Sequence, residues 1–383
     1  MTVRWPIVPL GTCIKHVRRP TTVADTKVYR RVTVRLRGQG MNLRDEVPGS
    51  AIKTKKQYII SENDLLVAEI DAKAGAYGIV PGDLSGSIVS GHYFTYQVDG
   101  SVISPKFLDY WLKTPAAHTQ VLEFIRGSLN YAAIRPNHFP QIRIPMPSLD
   151  VQAHIVGKID EISSRSAEAS RLRESIASER DEMLRAFARE LAKDSPRRPM
   201  QEVAPIVRRP IELDKTAEYP ELGIRSFGKG TFHKPAVAGA TLGSKRLYRI
   251  EPGDLLFSNV FSWEGAIAVV RDADAGRFGS HRFITCVPNP TLATAEFLRC
   301  WLLTAEGMAY ILEASPGAAG RNRTLGLKKL MAIRVPVPPL AAQKKLSELS
   351  GKVAAARQVQ DTVADEMRNL MPALLDRAFK GAL

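Results

Sequence analysis

An α+β fold written twice is what this sequence predicts, and three observations predict it. Landmarks recur at a nearly constant spacing, short strand-like runs alternate with turn residues in each copy, and each copy closes on a long stretch of helical periodicity. Val34-Arg35-Leu36-Arg37-Gly38-Gln39-Gly40-Met41 returns as Ile224-Arg225-Ser226-Phe227-Gly228-Lys229-Gly230-Thr231, 190 positions on (35 to 225). Val17-Arg18-Arg19-Pro20 recurs as Val207-Arg208-Arg209-Pro210, and Asp64-Leu65-Leu66 as Asp254-Leu255-Leu256. The spacing drifts to 191 where Ile144-Pro145-Met146-Pro147 meets Val335-Pro336-Val337-Pro338, and to 192 where Arg185-Ala186-Phe187 meets Arg377-Ala378-Phe379. A unit written twice suits a target with two halves.

The first copy opens with a mixed segment, residues 1–148. Runs such as Lys27 to Leu36 and Gly78-Ile79-Val80 read as strands between Gly, Pro and Asp turn signals. The periodicity after Ser104-Pro105 predicts one amphipathic helix from Lys106 to about Ile125, and Phe297 to Ile311 is its counterpart. A proline-bounded strand closes each mixed segment, Ile142 to Pro147 or Ile333 to Pro339. The stretch Asp194-Ser195-Pro196-Arg197-Arg198-Pro199 reads as an exposed linker between the copies.

Long helices follow each closing strand. Val151 to Ala192 contains no proline, and its apolar register passes through Ile155, Ile159, Ile162, Ile176, Met183 and Phe187. The second register passes through Leu346, Leu349, Val353, Val363, Met367 and Leu370, with Pro372 expected to kink or break the helix near its end. About forty residues at 1.5 Å each make a rod of roughly 60 Å. One such rod cannot hide its own stripe, so the two are expected to pair as an antiparallel coiled coil with pseudo-twofold symmetry. The resulting order is globule 1–148, helix 149–193, globule 194–338, helix 339–383.

Composition narrows the function classes. The chain has 383 residues, 54 Lys+Arg against 39 Asp+Glu, and a net charge of +15. A surplus that large favours a polyanionic partner, because neutralised phosphates release counterions. Cys13, Cys286 and Cys300 are odd in number and lack metal-ligand spacing, which argues against a disulfide framework or a zinc site. The N-terminal residues lack the apolar core of a signal peptide, and no run approaches a membrane span. A soluble, cytoplasmic protein is therefore expected.

The ordered set of motifs resembles the DNA-specificity (S) subunits of Type I restriction–modification systems. The carriers are the paired Asp-Leu-Leu motifs, the paired proline-bounded strands ending in Leu149-Asp150-Val151-Gln152 and Leu340-Ala341-Ala342-Gln343, and the Arg-Ala-Phe close of each long helix. The family's ending commonly reads Leu-x-Glu-Gln; both glutamines are present here, while Val151 and Ala342 stand at the acidic position. The resemblance implies two target-recognition domains, each reading one half of an interrupted site in double-stranded DNA. It implies two methyltransferase (M) subunits docked on the helices, with restriction (R) subunits able to join. It places S-adenosylmethionine and the chemistry in the partner, and no cofactor in this chain.

A half-site reader needs donors for phosphates and side chains that reach base edges. In the first copy the candidates are Arg126, Asn130, Tyr131, Arg135 and Asn137, in a stretch rich in Gly, Ser and amides, together with Lys53, Lys55, Lys56 and Lys73 around the Asp-Leu-Leu motif. In the second copy they are Arg321, Asn322, Arg323, Lys328 and Lys329, together with Lys245, Arg246 and Trp263. Arginines suit a bidentate guanine contact, asparagines suit adenine, and lysines suit the backbone. Gly38-Gln39-Gly40 and Gly228-Lys229-Gly230 read as turns. His92 and His281 sit near matching points and read as structural.

Rival enzyme readings fare worse. Glu69, Asp71 and Lys73 faintly resemble a metal-dependent nuclease core, but the second copy has Asn259, Phe261 and Trp263 there. No P-loop, dinucleotide loop or Asn-Pro-Pro-aromatic tetrapeptide is present. The alternatives are a self-contained DNA endonuclease or methyltransferase, and a scaffold that binds DNA without sequence preference.

Overall fold

The computed structural model describes residues 5–125, 133–243, 245–317 and 323–382. In the first copy the strands are β1 (Ile7–Pro9), β2 (Ile14–Val17), β3 (Pro20–Thr22), β4 (Val28–Val34), β5 (Met41–Pro48), β6 (Lys56–Ile59), β7 (Leu65–Ala68), β8 (Tyr77–Ile79), β9 (Ile88–Val89) and β10 (Tyr93–Val98). Helices α1 (Pro105–Leu112) and α2 (Pro115–Glu123), strand β11 (Arg143–Pro145) and the long α3 (Leu149–Ala192) follow. The second copy comprises β12 (Arg197–Pro199), α4 (Met200–Val203), β13 (Glu218–Ile224), β14 (Thr231–Ala238), β15 (Leu247–Arg249), β16 (Leu255–Ser258), β17 (Ile267–Val269), β18 (Phe278–Ser280) and β19 (Phe283–Cys286). It ends in α5 (Ala295–Leu302), α6 (Ala305–Glu313), α7 (Leu327–Ala332), β20 (Arg334–Pro336) and the long α8 (Leu340–Phe379).

Sheet pairings repeat with the sequence. In the first copy the order β2-β10-β7-β8 forms one sheet and β3-β6-β9-β4-β5 a second. In the second copy β17-β16-β19 and β14-β13-β18-β15 take the corresponding places. The Leu-Leu strands β7 and β16 lie inside their sheets with every residue buried, which is why they read as unbroken apolar runs.

The chain divides into two compact units, residues 1–170 with 363–383, and residues 171–362. In the first unit Ile155 and Ile159, from the start of α3, share one core with Leu374, Leu375 and Ala378 from the end of α8. In the second unit Leu184, Ala188 and Ala192, from the end of α3, share a core with Leu346 and its neighbours Leu349 and Val353 at the start of α8. Within each unit, then, the beginning of one long helix meets the end of the other, as an antiparallel pair requires.

Four details differ from the sequence expectation. The amphipathic helix of each copy is two helices, because Thr114 and Thr304 cap a fresh start with their hydroxyls and Pro115 removes a donor in the first copy. The linker is half strand: Arg197–Pro199 pairs with β20 as β1 pairs with β11. Helix α8 continues through Pro372. Burial of Leu374, Leu375 and Ala378 beyond it offsets the lost backbone hydrogen bond.

The seam differs too. Ile162 and Phe187 pack on the edges of the two cores, and Val363 and Met367 are half-buried. Ile176, Met183 and Leu370, however, are 39%, 46% and 44% exposed. A straight α-helix falls about 20° behind per heptad. Four heptads past Ile159's neighbour Ile155, Met183 has lagged by about 80°, and Leu184, roughly 100° further round, has taken its place on the stripe. The strict heptad reading carried the wrong residue forward.

Candidate DNA interface

The repeated arginine and aspartate landmarks are a strut. Arg19 donates to both Asp64 carboxylate oxygens at 2.5 and 3.1 Å, and Arg209 does the same for Asp254 at 2.7 and 3.2 Å. Each aspartate also accepts a backbone N–H, from Ser61 or Glu251, at 2.8 Å. Both carboxylates are 2% exposed, so the pair and its extra donor are what make that burial tolerable. The strut fixes where β7 and β16 begin.

The repeated glutamines are clamps. The Gln152 side-chain carbonyl accepts from Ser104 N at 2.8 Å while its amide donates to the carbonyls of Pro147 (3.0 Å) and Val102 (3.3 Å). Gln343 accepts from Thr294 N at 2.9 Å and donates to the carbonyls of Pro338 (2.8 Å) and Leu292 (2.9 Å). Both are fully buried. Each clamp joins the first turn of a long helix to the loop that starts α1 or α5.

Beyond β7 the chain makes a short loop, residues 69–76, and beyond β16 its counterpart, residues 259–266. Gly75 and Gly265 turn these loops at φ 79° and 76°, a region open to glycine. Two remote segments dock onto each loop. The hairpin between β4 and β5 donates Arg37 N to Ala74 O (2.7 Å) and Gly38 N to Gly75 O (3.0 Å). Between β13 and β14, Phe227 N donates to Glu264 O (2.8 Å) and Gly228 N to Gly265 O (2.9 Å). From the other side Ile134 N donates to Glu69 O (3.1 Å), and Leu325 N to Asn259 O (2.8 Å). In each copy the returning chain at 134 or 325 thus meets the loop that carries Lys73 or Trp263, far away in sequence.

The side chains presented there differ. In the first unit Arg135 pairs with Glu69 at 2.8 Å, and the opposite Glu69 oxygen meets His92 Nδ1 at 3.1 Å. Lys73 is half-buried in the loop and Asn137 is exposed beyond Arg135. In the second unit the Arg323 guanidinium lies over the Trp263 ring, 5.6 Å from its centroid, and the Trp263 N–H donates to Val260 O at 3.0 Å. Arg323 Nε is buried and has no hydrogen-bond partner among the described residues. Stacking holds the guanidinium plane while leaving donors to spend on a ligand. Phe261 is exposed beside it.

Other candidates lie elsewhere or beyond view. Lys53 and Lys56 are exposed, and Lys55 bonds Asp25 (2.5 Å) and Gly49 O (2.7 Å). Lys245 and Arg246 are exposed ahead of β15. Among the described residues no hydrogen bond or ion pair ties these five to the loops. Lys328 and Lys329 are exposed on α7, with Lys329 Nζ donating to Glu313 O at 3.3 Å. Arg126, Asn130, Tyr131, Arg321 and Asn322 lie outside the described residues. Three residues of these faces escaped the sequence reading. Arg282, whose carbonyl accepts from Asn259 N (2.7 Å) as that of His92 accepts from Glu69 N (2.8 Å), occupies the place matched to His92, so His281 is one position off. Arg37 and Phe227 stand at the hairpin tips, and only the change of residue before a retained glycine could have signalled them.

Burial pushes the Cys13 thiol up to about 11, Cys286 to about 12 and Cys300 to about 11, far from the range of a nucleophilic thiolate. The Glu69 carboxylate is held by Arg135 and His92. No described helix is long and apolar enough to cross a membrane.

Residues 18–176 match the family model described as the Type I restriction modification DNA specificity domain. The fold of the whole chain is similar to two solved structures. One is the HsdS subunit from Thermoanaerobacter tengcongensis, at 20% identity over 99% of this chain and 97% of that chain, TM-score 0.50. The other comes from work on complex assembly and conformational transition of the type I R-M system, at 20% identity over 100% of both chains, TM-score 0.62. No curated protein matches the chain in sequence. The comparisons agree with the resemblance carried by the motifs: residues 18–176 are similar to the Type I DNA specificity domain, and the chain shares the fold of these two solved structures.

Proposed function

We propose that the chain reads an asymmetric, bipartite DNA site through two recognition domains, residues 1–148 and 194–338. Helices 149–193 and 339–383 set the spacer and dock methyltransferase subunits, two in number, which bring S-adenosylmethionine; restriction subunits are able to join the same complex. One observation carries the reading. The same three-segment junction recurs in both units, yet it displays Glu69, Lys73, His92 and Arg135 in one and Asn259, Trp263, Arg282 and Arg323 in the other. Identical readers would select a palindrome; unlike readers select unlike half-sites. Arg323, Arg321 and Arg135 are the guanine candidates, Asn130 and Asn322 the adenine candidates, and the exposed lysines serve the backbone.

The test is to sequence methylated positions in DNA from cells carrying this gene with a cognate methyltransferase gene. An interrupted motif with two different halves is the expected result, and Arg323→Ala should relax one base pair of the half-site read by the second domain, by about 1–3 kcal/mol. A uniform loss over all sequences would reduce Arg323 to a phosphate contact. Turnover of DNA by the purified chain with Mg²⁺ and methyl donor would replace the proposal with an enzyme, and equal competition by random duplex would replace it with a nonspecific scaffold.

A further inference from the structure

We propose that the β4–β5 and β13–β14 hairpin tips are base-contacting wedges, with Arg37 and Phe227 as their specificity-determining residues; this rests on the recognition reading above. The turn at each tip has positive φ at both central residues, Arg37 (58°) and Gly38 (64°), or Phe227 (62°) and Gly228 (68°). Gln39 N donates to Leu36 O, and Lys229 N to Ser226 O, both at 3.4 Å. That is the pattern of a type I′ turn, whose first central position strongly prefers Asn, Asp or Gly. Both copies keep glycine at the second position. At the first, where the backbone asks for a small residue, each carries a large one, and the two differ.

The fold does not explain these side chains. The tips are held to loops 69–76 and 259–266 through backbone N–H groups, which any residue supplies. Arg37 is exposed, and its side chain makes no hydrogen bond or ion pair among the described residues. Phe227 is 69% exposed, its only aromatic-range neighbour among those residues being Lys229 Nζ at 6.0 Å from the ring. Backbone strain of this kind clusters at ligand-binding and active sites. The loop whose Glu264 carbonyl accepts from Phe227 N also carries Trp263, on which Arg323 stacks. An exposed phenyl flanked by a cation suits the edge of a base step or a thymine methyl, and an arginine suits guanine or phosphate.

The experiment uses the full chain bound to its methyltransferase, with duplex carrying the motif that methylome sequencing identifies. Phe227→Asn and Arg37→Asn fit the turn, so each is expected to raise Tm by about 2 °C. Phe227→Asn should at the same time weaken binding by about tenfold and relax one position of its half-site, and Arg37→Asn should act on the other half-site. A raised Tm with unchanged affinity and unchanged motif would overturn the inference and leave the tips as turns. If Arg323→Ala is also silent, or the wild-type complex shows no motif, the recognition reading itself falls; a sensitive Arg323 with silent tips removes the wedges alone.

Discussion

Loops 69–76 and 259–266 have the same backbone and opposite chemistry. Each follows a buried Leu-Leu strand, turns on a left-handed glycine, and receives the hairpin tip on one side and the returning chain on the other. In the first, Glu69 pairs with Arg135 and meets His92. The second has no carboxylate at position 259 and holds Arg323 by stacking on Trp263. Repetition has preserved what positions the loop and released what faces outward. Recognition can then diverge without disturbing the fold.

The largest effects should come from the shared parts. Asp64→Ala leaves Arg19 without an ion-pair partner among the described residues, whereas Asp254→Ala leaves Arg209, 19% exposed, with Glu251 still at 3.5 Å. A cost of about 3–5 kcal/mol is expected for Asp64→Ala and somewhat less for Asp254→Ala, measured by denaturant unfolding. Equal costs would show that the struts are interchangeable. Gln152→Ala and Gln343→Ala each strand a buried N–H and two carbonyls, for about 2–3 kcal/mol, with hydrogen exchange rising at the start of the affected long helix. Exchange unchanged there would mean the amides are not what joins helix to domain.

Smaller effects should separate the copies. Glu69→Gln frees Arg135 and removes a negative charge from the first loop. DNA affinity is expected to rise by about 1 kcal/mol at low salt, with a steeper salt dependence. Asn259→Glu in the second loop should do the reverse. If both leave salt dependence untouched, the loops do not face phosphate.

The smallest effect concerns Asp274, fully buried where the first copy has Leu84. Burial works to raise its pKa, but the Arg271 amide, Thr231 and His233 outweigh this and hold it below the usual carboxylate range. Its folded pKa being depressed, its contribution is complete above about pH 4 and fades as pH falls through the folded value. Acid should therefore loosen the second unit through a group the first lacks, and hydrogen exchange resolved by unit checks this.

Much of the fold was legible because it follows from local periodicity. The duplication, the long helices and the Leu-Leu strands are each written in consecutive residues. The roles of Arg19 and Asp64, 45 residues apart, appeared only as repeated landmarks. The site was half legible. Residue type marked Arg135, Trp263 and Arg323, but nothing in sequence joined Trp263 to Arg323, 60 positions on, or lifted Phe227 from a glycine turn into an exposed ring.

By itself, then, the sequence determined that one α+β unit is built twice, that each closes on a rod, and that the surface is cationic. These depend on spacing and composition, which are additive along the chain. Tertiary structure decided that the end of α8 completes the core of the first unit, that Leu184 rather than Met183 lies on the buried stripe, and that three remote segments share one loop. Those outcomes depend on which surfaces meet, and a helix that turns every 3.6 residues leaves that choice to packing.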